Sequence, residues 1–162
     1  MISIQIADIK LFMNKLFLSE YFDAFLLSEA NFVTFNTFHI DCILQHAYYS
    51  GEELKESGMG EQRFSLWKQI RPFALSLIKG THTPLEFKII FRLSDSNVEK
   101  LLRQTGITAF SPADVDGLFL NLNFSRGDLY CISGTSLTLF SMDKTVEHAW
   151  DDAVKKYLNA FL

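Results

Sequence analysis

The chain carries the stretch LEFKIIFRL at residues 85–93, in which apolar and polar side chains alternate. The odd-numbered positions are all apolar, and they are Leu85, Phe87, Ile89, Phe91 and Leu93. The even-numbered positions are Glu86, Lys88, Ile90 and Arg92. Successive side chains of a β-strand point to opposite faces, so the pattern predicts a strand with one buried face and one mostly wet face.

The segment that follows this strand predicts a short helix. Ser96 and Glu99 have the spacing of a capping box, apolar residues follow at helical spacing, and Gly106 is the expected stop. Residues 117–141 then predict a three-stranded meander. Its first strand runs over 118–124, Arg126 and Gly127 turn into a second strand at 129–133, and residues 134–136 turn into a third at 137–140.

Upstream, residues 31–44 (NFVTFNTFHIDCIL) are rich in β-branched and aromatic side chains and predict a hairpin or one long bent strand. A turn at residues 36–37 would pair Phe35 with Phe38 and Val33 with Ile40. A turn at residues 41–42 is the rival reading. Both turns place a β-rich segment before the strand at residues 85–93, which we call the central strand.

Helical periodicity appears in three further segments. The C-terminal one follows the i, i+3, i+4 spacing for four turns, with Asp143 placed to cap it and polar residues, among them Asp151 and Asp152, on its other face. Residues 65–80 predict a helix that Pro72 begins or kinks, and residues 9–17 predict another. Residues 20–30 are ambiguous, and 50–63 predict an exposed loop with at most one helical turn.

The order of these elements predicts an α+β fold, with a mainly antiparallel sheet (hairpin, one strand, three-strand meander) covered by amphipathic helices. The composition supports a single domain over residues 1–162, because 48% of the side chains are hydrophobic and 21% are charged. The 16 phenylalanines indicate an aromatic-rich interior, and any exposed ones would mark a surface for self-association.

Bulk charge and hydropathy exclude several classes of protein. The net charge of −4 argues against a surface built to coat nucleic acid or anionic lipid. No apolar run is long enough for a membrane span, and the N-terminal segment lacks the features of a signal peptide, so a cytoplasmic protein is expected. Cys42 and Cys131 are too few for a disulfide scaffold and are expected to be reduced core residues.

One segment has a charge opposite to the rest. Residues 62–108 hold eight basic and three acidic side chains, a net +5, which leaves −9 elsewhere. Lys88 and Arg92 share the wet face of the central strand, Arg71 lies on the preceding helix, and Lys79 and His82 lie in the connection between them. These five residues are the candidate binding site for a phosphate, a carboxylate or a nucleic-acid backbone. The opposing interpretation is that their positive charge only balances the negative charge of the acidic segments on either side.

No pattern predicts a metal, a cofactor or a catalytic centre. Two mixed clusters, His39 with Asp41 and the helical set Glu147, His148, Asp151 and Asp152, contain metal-ligand and acid/base residue types, but surface elements routinely carry such mixtures. There is no nucleophile elbow and no glycine-rich phosphate loop. The turn at residues 80–84 is expected to end a helix and begin the central strand.

Three parts of the sequence carry a resemblance. Residues 34–41 (TFNTFHID), residues 77–94 (LIKGTHTPLEFKIIFRLS), and residues 117–124 with 134–151 (GLFLNLNF with GTSLTLFSMDKTVEHAWD) resemble a small family of uncharacterised bacterial proteins of similar length. The resemblance implies one full-length bacterial domain and assigns no activity or site residue.

Two classes of function follow. The first is a non-enzymatic binding or interaction domain, which the missing catalytic pattern favours. The second is an anion-handling protein or enzyme that uses the basic segment 62–108.

Overall fold

The computed structural model describes residues 1–162 and consists of seven strands and five α-helices. The strands are β1 (Ser3–Gln5), β2 (Leu26–Val33), β3 (Thr37–Asp41), β4 (Ser65–Leu66), β5 (Glu86–Arg92), β6 (Val115–Ser125) and β7 (Asp128–Leu137). The helices are α1 (Ile9–Leu18), α2 (Gly51–Ser57), α3 (Trp67–Ile78), α4 (Asp95–Gln104) and α5 (Thr145–Leu158). None of the helices combines the length and apolar character needed to cross a lipid bilayer.

All seven strands form one antiparallel sheet. Its order is β1-β7-β6-β5-β2-β3, and β4 pairs with the beginning of β2. The fold is therefore α+β with an antiparallel sheet, as the sequence predicts. The central strand β5 pairs with β2 on one side and with β6 on the other.

The two faces of the sheet have different surroundings. On the inner face, Phe87, Ile89 and Phe91 of β5 are buried and belong to a single core cluster of 28 residues that includes the apolar sides of α1, α3, α4 and α5. On the outer face, Lys88 is exposed, and Ile90 and Arg92 are half-buried. Within β5 the predicted alternation is confirmed, but Leu85, which the pattern assigns to the buried face, lies before the strand and is 64% exposed.

The core is aromatic. Its buried phenylalanines are Phe12, Phe17, Phe22, Phe25, Phe32, Phe87, Phe91, Phe124 and Phe161. The Phe91 ring has its centroid 5.2 Å from that of Phe25 and 5.4 Å from that of Trp67. Three phenylalanines, Phe35, Phe73 and Phe140, are exposed instead.

The hairpin has a different register from the one proposed for a turn at residues 36–37. Phe32 pairs with Phe38 and Val33 with Thr37, so the loop consists of the three residues 34–36. The N–H of Thr34 donates to the carbonyl of Asn36 across this loop at 2.9 Å. A three-residue loop shifts the register and places Phe35 outside the ladder, where it is 85% exposed.

The third strand of the proposed meander is wrong. Residues 134–136 do not turn but continue β7, and Gly134 lies opposite Phe119 of β6. The missing neighbour of β7 is β1, at the other end of the sequence. At position 117 a glycine is required for a steric reason, because a Cβ atom there would lie 2.5 Å from Cζ of Phe119. At Gly134 a Cβ atom would lie 3.5 Å from Cβ of Phe119, an ordinary contact, so only Gly117 is required by the Phe119 ring.

Two helix starts differ from prediction. Residues 50–63 are exposed, as expected, but contain the seven-residue helix α2, closed by a capping box between Ser50 and Glu53. The cap of α4 is Ser94, whose Oγ accepts from the N–H of Asn97, and not Ser96. At α5, the Asp143 carboxylate accepts from the N–H of Thr145 at 2.9 Å, which confirms its capping role and lowers its pKa.

The polar face assigned to α5 is wrong at one position. Asp151 is only 7% exposed. Its carboxylate accepts from the Ser133 hydroxyl on β7 and, at 3.0 Å, from the amino group of Met1. This carboxyl group is buried here because both of its oxygens accept a hydrogen bond.

Candidate functional site

A cleft opens between the α1–β2 connection, the end of β5, the middle of β6, and one side of α4 and α5. Its volume is about 250 Å³, and nine of its ten lining residues are hydrophobic. The lining residues are Tyr21, Ala24, Phe25, Leu93, Asn97, Leu120, Trp150, Ala153, Val154 and Tyr157. We call this site the apolar cleft.

Two tyrosines close one end of the apolar cleft through reciprocal hydrogen bonds. The Tyr21 hydroxyl donates to the carbonyl of Tyr157 at 2.6 Å, and the Tyr157 hydroxyl donates to the carbonyl of Tyr21. Burial raises the pKa of both phenols, so both are neutral donors at physiological pH. Each hydroxyl is thus used within the protein.

The indole N–H of Trp150 is a third hydrogen-bond donor in the apolar cleft, and it is also engaged within the protein. Nε1 of Trp150 donates to the carbonyl of Phe119 at 2.9 Å. The remaining polar side chain is Asn97, whose amide makes no hydrogen bond within the protein. The walls therefore offer aromatic and aliphatic surface and one free amide group.

Small residues leave the space that forms the apolar cleft. Ala24 lies in the wall contributed by the α1–β2 connection and Ala153 in the wall contributed by α5. The first wall is held in place by Asp23, whose carboxylate accepts from Nε and Nη2 of Arg71 on α3, both at 2.9 Å. This bidentate pair raises the pKa of the Arg71 guanidinium.

The five basic candidates do not come together at one place. Arg71 is engaged by Asp23. Arg92 donates to the carbonyl of Asp116, and its guanidinium lies over the rings of Phe64 and Phe119, at 5.1 and 5.3 Å from their centroids. Lys88 lies on the outer face, in register with Asn31 and Asn123.

Only Lys79 and His82 share a concave site. Together with the tip of the β2–β3 hairpin they line a groove of about 570 Å³. The hypothesis of an anion site in the basic segment stays a prediction, and in the structure these two residues are the ones that lie together.

The mixed polar clusters have structural partners. Nδ1 of His39 lies 2.6 Å from the Asn31 side-chain oxygen, and the Asp41 carboxylate accepts from the N–H of Ile43. Glu147 accepts from the amino group of Met1 at 2.6 Å, which lowers its pKa. No group of three or more histidine, cysteine and acidic side chains is arranged to hold a metal ion.

Both cysteines are free and buried, as expected. Burial raises the pKa of each thiol to about 12. A thiol with this pKa is protonated at neutral pH and has almost none of the thiolate that acts as a nucleophile. Cys42 and Cys131 are therefore core residues.

The helical spacing of the C-terminal segment places Trp150, Ala153, Val154 and Tyr157 on one apolar stripe, but it does not identify them as a cleft wall. The other walls come from residues 21–25, from 93–97 and from Leu120. No local pattern links these segments, because the sheet and the helix packing bring them together. One signal was available in the sequence, because Asn97 is a polar residue beside the apolar stripe of α4.

One family model matches the chain. It is described as "Family of unknown function (DUF5721)" and covers residues 15–161. No curated protein and no solved structure matches the chain.

Proposed function

The chain belongs to the family of unknown function DUF5721, and from its geometry we propose that it is a non-enzymatic binding domain whose apolar cleft takes a small, uncharged ligand. The observation that carries the proposal is the composition of the cleft. Nine of ten lining residues are hydrophobic, and the polar atoms of Tyr21, Tyr157 and Trp150 are already hydrogen-bonded. Such a site favours apolar surface and disfavours a charge, which would lose its hydration without gaining a partner.

The size of the apolar cleft favours a small molecule over a peptide. An apolar cavity of about 150 Å³ accommodates benzene. A volume of about 250 Å³ therefore suits one or two fused rings or a short alkyl chain. A helix or strand of a partner protein would need a longer groove.

Asn97 supplies the polar contact. Its amide can donate and accept, and it has no partner within the protein. A ligand with one neutral hydrogen-bonding group would orient that group toward α4 and place its apolar part against Trp150 and Tyr157. Sites of this type combine hydrophobic walls with a few placed polar groups.

Two broader features belong to the same proposal. We propose that residues 1–162 act as one domain, which the single core cluster of 28 residues supports. We also propose a bacterial cytoplasmic location, supported by the resemblance described above and by two free thiols, since oxidising compartments favour disulfides.

The test uses 1-naphthylamine, a neutral fluorescent molecule with two fused apolar rings and one amino group. Saturable binding to the full chain with enhanced fluorescence is expected. Ala153→Leu fills the cleft and should abolish binding while leaving the thermal unfolding temperature unchanged or higher, because the added methyl groups enter existing space. Ala160→Leu, an exposed position just beyond α5, is the matched control and should bind like the wild type.

Asn97→Ala refines the test. Loss of one neutral hydrogen bond, about 1 kcal/mol, should weaken binding by about fivefold. Equal binding by the wild type and Ala153→Leu would contradict the proposal, because the probe would then be bound elsewhere. A complete absence of saturable binding by the wild type would also contradict it.

A further inference from the structure

A second concave site lies at the opposite end of β5 from the apolar cleft. It is the groove between the tip of the β2–β3 hairpin and the connection from α3 to β5, and we call it the hairpin groove. Its lining residues are Thr34, Phe35, Ser76, Leu77, Ile78, Lys79, Gly80, Thr81, His82, Thr83 and Leu85. Seven of these eleven residues are not hydrophobic, which is the reverse of the apolar cleft.

The charge of the hairpin groove has one sign. Lys79 and His82 are its titratable residues, and no acidic side chain lines it. Neither residue makes a side-chain hydrogen bond or ion pair in the structure. This separates them from Arg71, which Asp23 neutralises, and from Arg92, which donates to Asp116.

The backbone of the same connection has free donors. Helix α3 ends at Ile78, and the N–H of Lys79 still donates to the carbonyl of Leu75. None of the next four N–H groups, from Gly80 to Thr83, donates a hydrogen bond within the protein. Gly80 has a φ of +143°, a conformation that residues with a side chain rarely adopt, so the course of the chain here depends on glycine. Unpaired N–H groups in such a turn are typical of anion-binding concavities.

The donors favour phosphate over carboxylate. The hydroxyls of Thr81 and Thr83 have no partner in the protein and add to the four free N–H groups and the two basic side chains. A carboxylate has two oxygens to accept hydrogen bonds, whereas a phosphate monoester offers three strongly accepting terminal oxygens. More donors are present than a carboxylate can use.

The rim of the hairpin groove is apolar. Phe35 is 85% exposed and Leu85 is 64% exposed. The Phe35 ring is supported by an edge contact with Phe38, with centroids 5.7 Å apart. A supported, exposed ring beside a cationic groove can stack on a flat group of a ligand. The hydroxyl oxygen of Thr34, at the base of the same hairpin tip, is buried without a partner.

From these observations we propose that the hairpin groove binds a phosphate monoester that carries a flat apolar group. The phosphate contacts Lys79, His82 and the free N–H groups that follow Lys79, and the flat group lies against Phe35. This site is separate from the apolar cleft and shares no lining residue with it.

The experiment is a titration of the full ¹⁵N-labelled chain with phenyl phosphate, followed by the amide resonances in NMR spectra. The largest shifts are expected at residues 80–83. Lys79→Met should weaken binding by about tenfold, the effect of removing one charge-assisted hydrogen bond. Lys68→Met is the matched control, because Lys68 is an exposed lysine on α3 that does not line the groove, and it should bind like the wild type.

Two further ligands separate the contributions of charge and ring. Inorganic phosphate should shift the same amides with lower affinity, and Phe35→Ser should reduce the affinity for phenyl phosphate to that for inorganic phosphate. Benzoate, which carries the ring on a carboxylate, should bind more weakly than phenyl phosphate.

Several results would overturn the proposal. They are the absence of saturable shifts at residues 80–83, equal weakening by Lys79→Met and Lys68→Met, or benzoate binding as tightly as phenyl phosphate. The substituted residues are exposed, so unchanged thermal unfolding of each variant is expected and shows that a loss of binding is not a loss of folding. A failure of 1-naphthylamine to bind the apolar cleft would leave this result unaffected.

Discussion

The inner and outer faces of the sheet differ although the same strands form both. Phe91 and Ile90 are neighbours on β5, yet Phe91 is fully buried among three aromatic rings whereas Ile90 is half-buried on a face that carries Lys88 and Asn121. On the inner face, buried polar groups such as Ser133 are satisfied within the protein. The comparison teaches that the inner face supplies most of the stability of the fold. The outer face and the connections between strands contribute less to stability, so they can carry polar and charged side chains.

The largest effect is expected from Phe91→Ala compared with Ile90→Ala. The Phe91 ring packs against Phe22, Phe25 and Trp67 at centroid distances of 5.5, 5.2 and 5.4 Å. Its removal should lower the free energy of unfolding by about 3–5 kcal/mol, whereas Ile90→Ala should cost about 1 kcal/mol or less. Urea denaturation of the two variants measures the difference.

Phe91→Leu is the graded variant for the case in which Phe91→Ala is too unstable to measure. It should lie between the wild type and Phe91→Ala, because it keeps part of the buried volume. Similar losses for Ile90→Ala and Phe91→Ala would show that the outer face is covered in solution and would end the contrast between the faces.

Within β5, residues 86–92, the alternation predicted this contrast correctly because strand parity is a local property of the backbone. The register of the hairpin was not predictable in the same way. Residues 34–36 lack the Asn-Gly or Asp-Gly pair that marks a short turn, so the sequence does not locate the loop. Gly134 was misread because a glycine in a strand and a glycine in a turn look alike until its partner, Phe119, is known.

The sites were predictable to different extents. The hairpin groove contains the connection 79–84, which the sequence identifies as a turn with two basic residues, although the pairing with the hairpin tip is a tertiary feature. The apolar cleft gathers four segments that are distant in sequence, and nothing local predicts it. The burial of Asp151 escaped prediction for the same reason, since Ser133 lies 18 residues away and Met1 150 residues away.

An intermediate effect is expected from the inner-face thiol Cys131 at alkaline pH. Its pKa is about 12 in the folded protein, and an unfolded thiol has its ordinary pKa near 9. Between these values the folded chain keeps a proton that the unfolded chain has released, so the free energy of unfolding falls as the pH rises. The contribution of this thiol is about 1.4 kcal/mol per pH unit.

Cys131→Ala tests the assignment. The variant should be less stable than the wild type at neutral pH, because it leaves a small cavity, but should lose less stability between about pH 9 and about pH 10.5. Urea denaturation under a reducing agent at several pH values measures both slopes. Parallel slopes for the variant and the wild type would mean that Cys131 ionises in the folded state, which is inconsistent with its burial.

The smallest effect is expected on the outer face, from Lys88→Met. Lys88 is exposed, makes no ion pair, and lies between Asn31 and Asn123 of the adjacent strands. The free energy of unfolding should change by no more than about 0.5 kcal/mol in either direction. Urea denaturation at two protein concentrations is the measurement, because self-association through the outer face would make the result depend on concentration.

A loss of stability well above about 0.5 kcal/mol, or a midpoint that rises with protein concentration in the wild type and not in the variant, would show that Lys88 is covered by a partner and that the outer face is an interface. A neutral result at both concentrations would instead leave the outer face as solvated surface and confine the chemistry of the molecule to the two ends of β5.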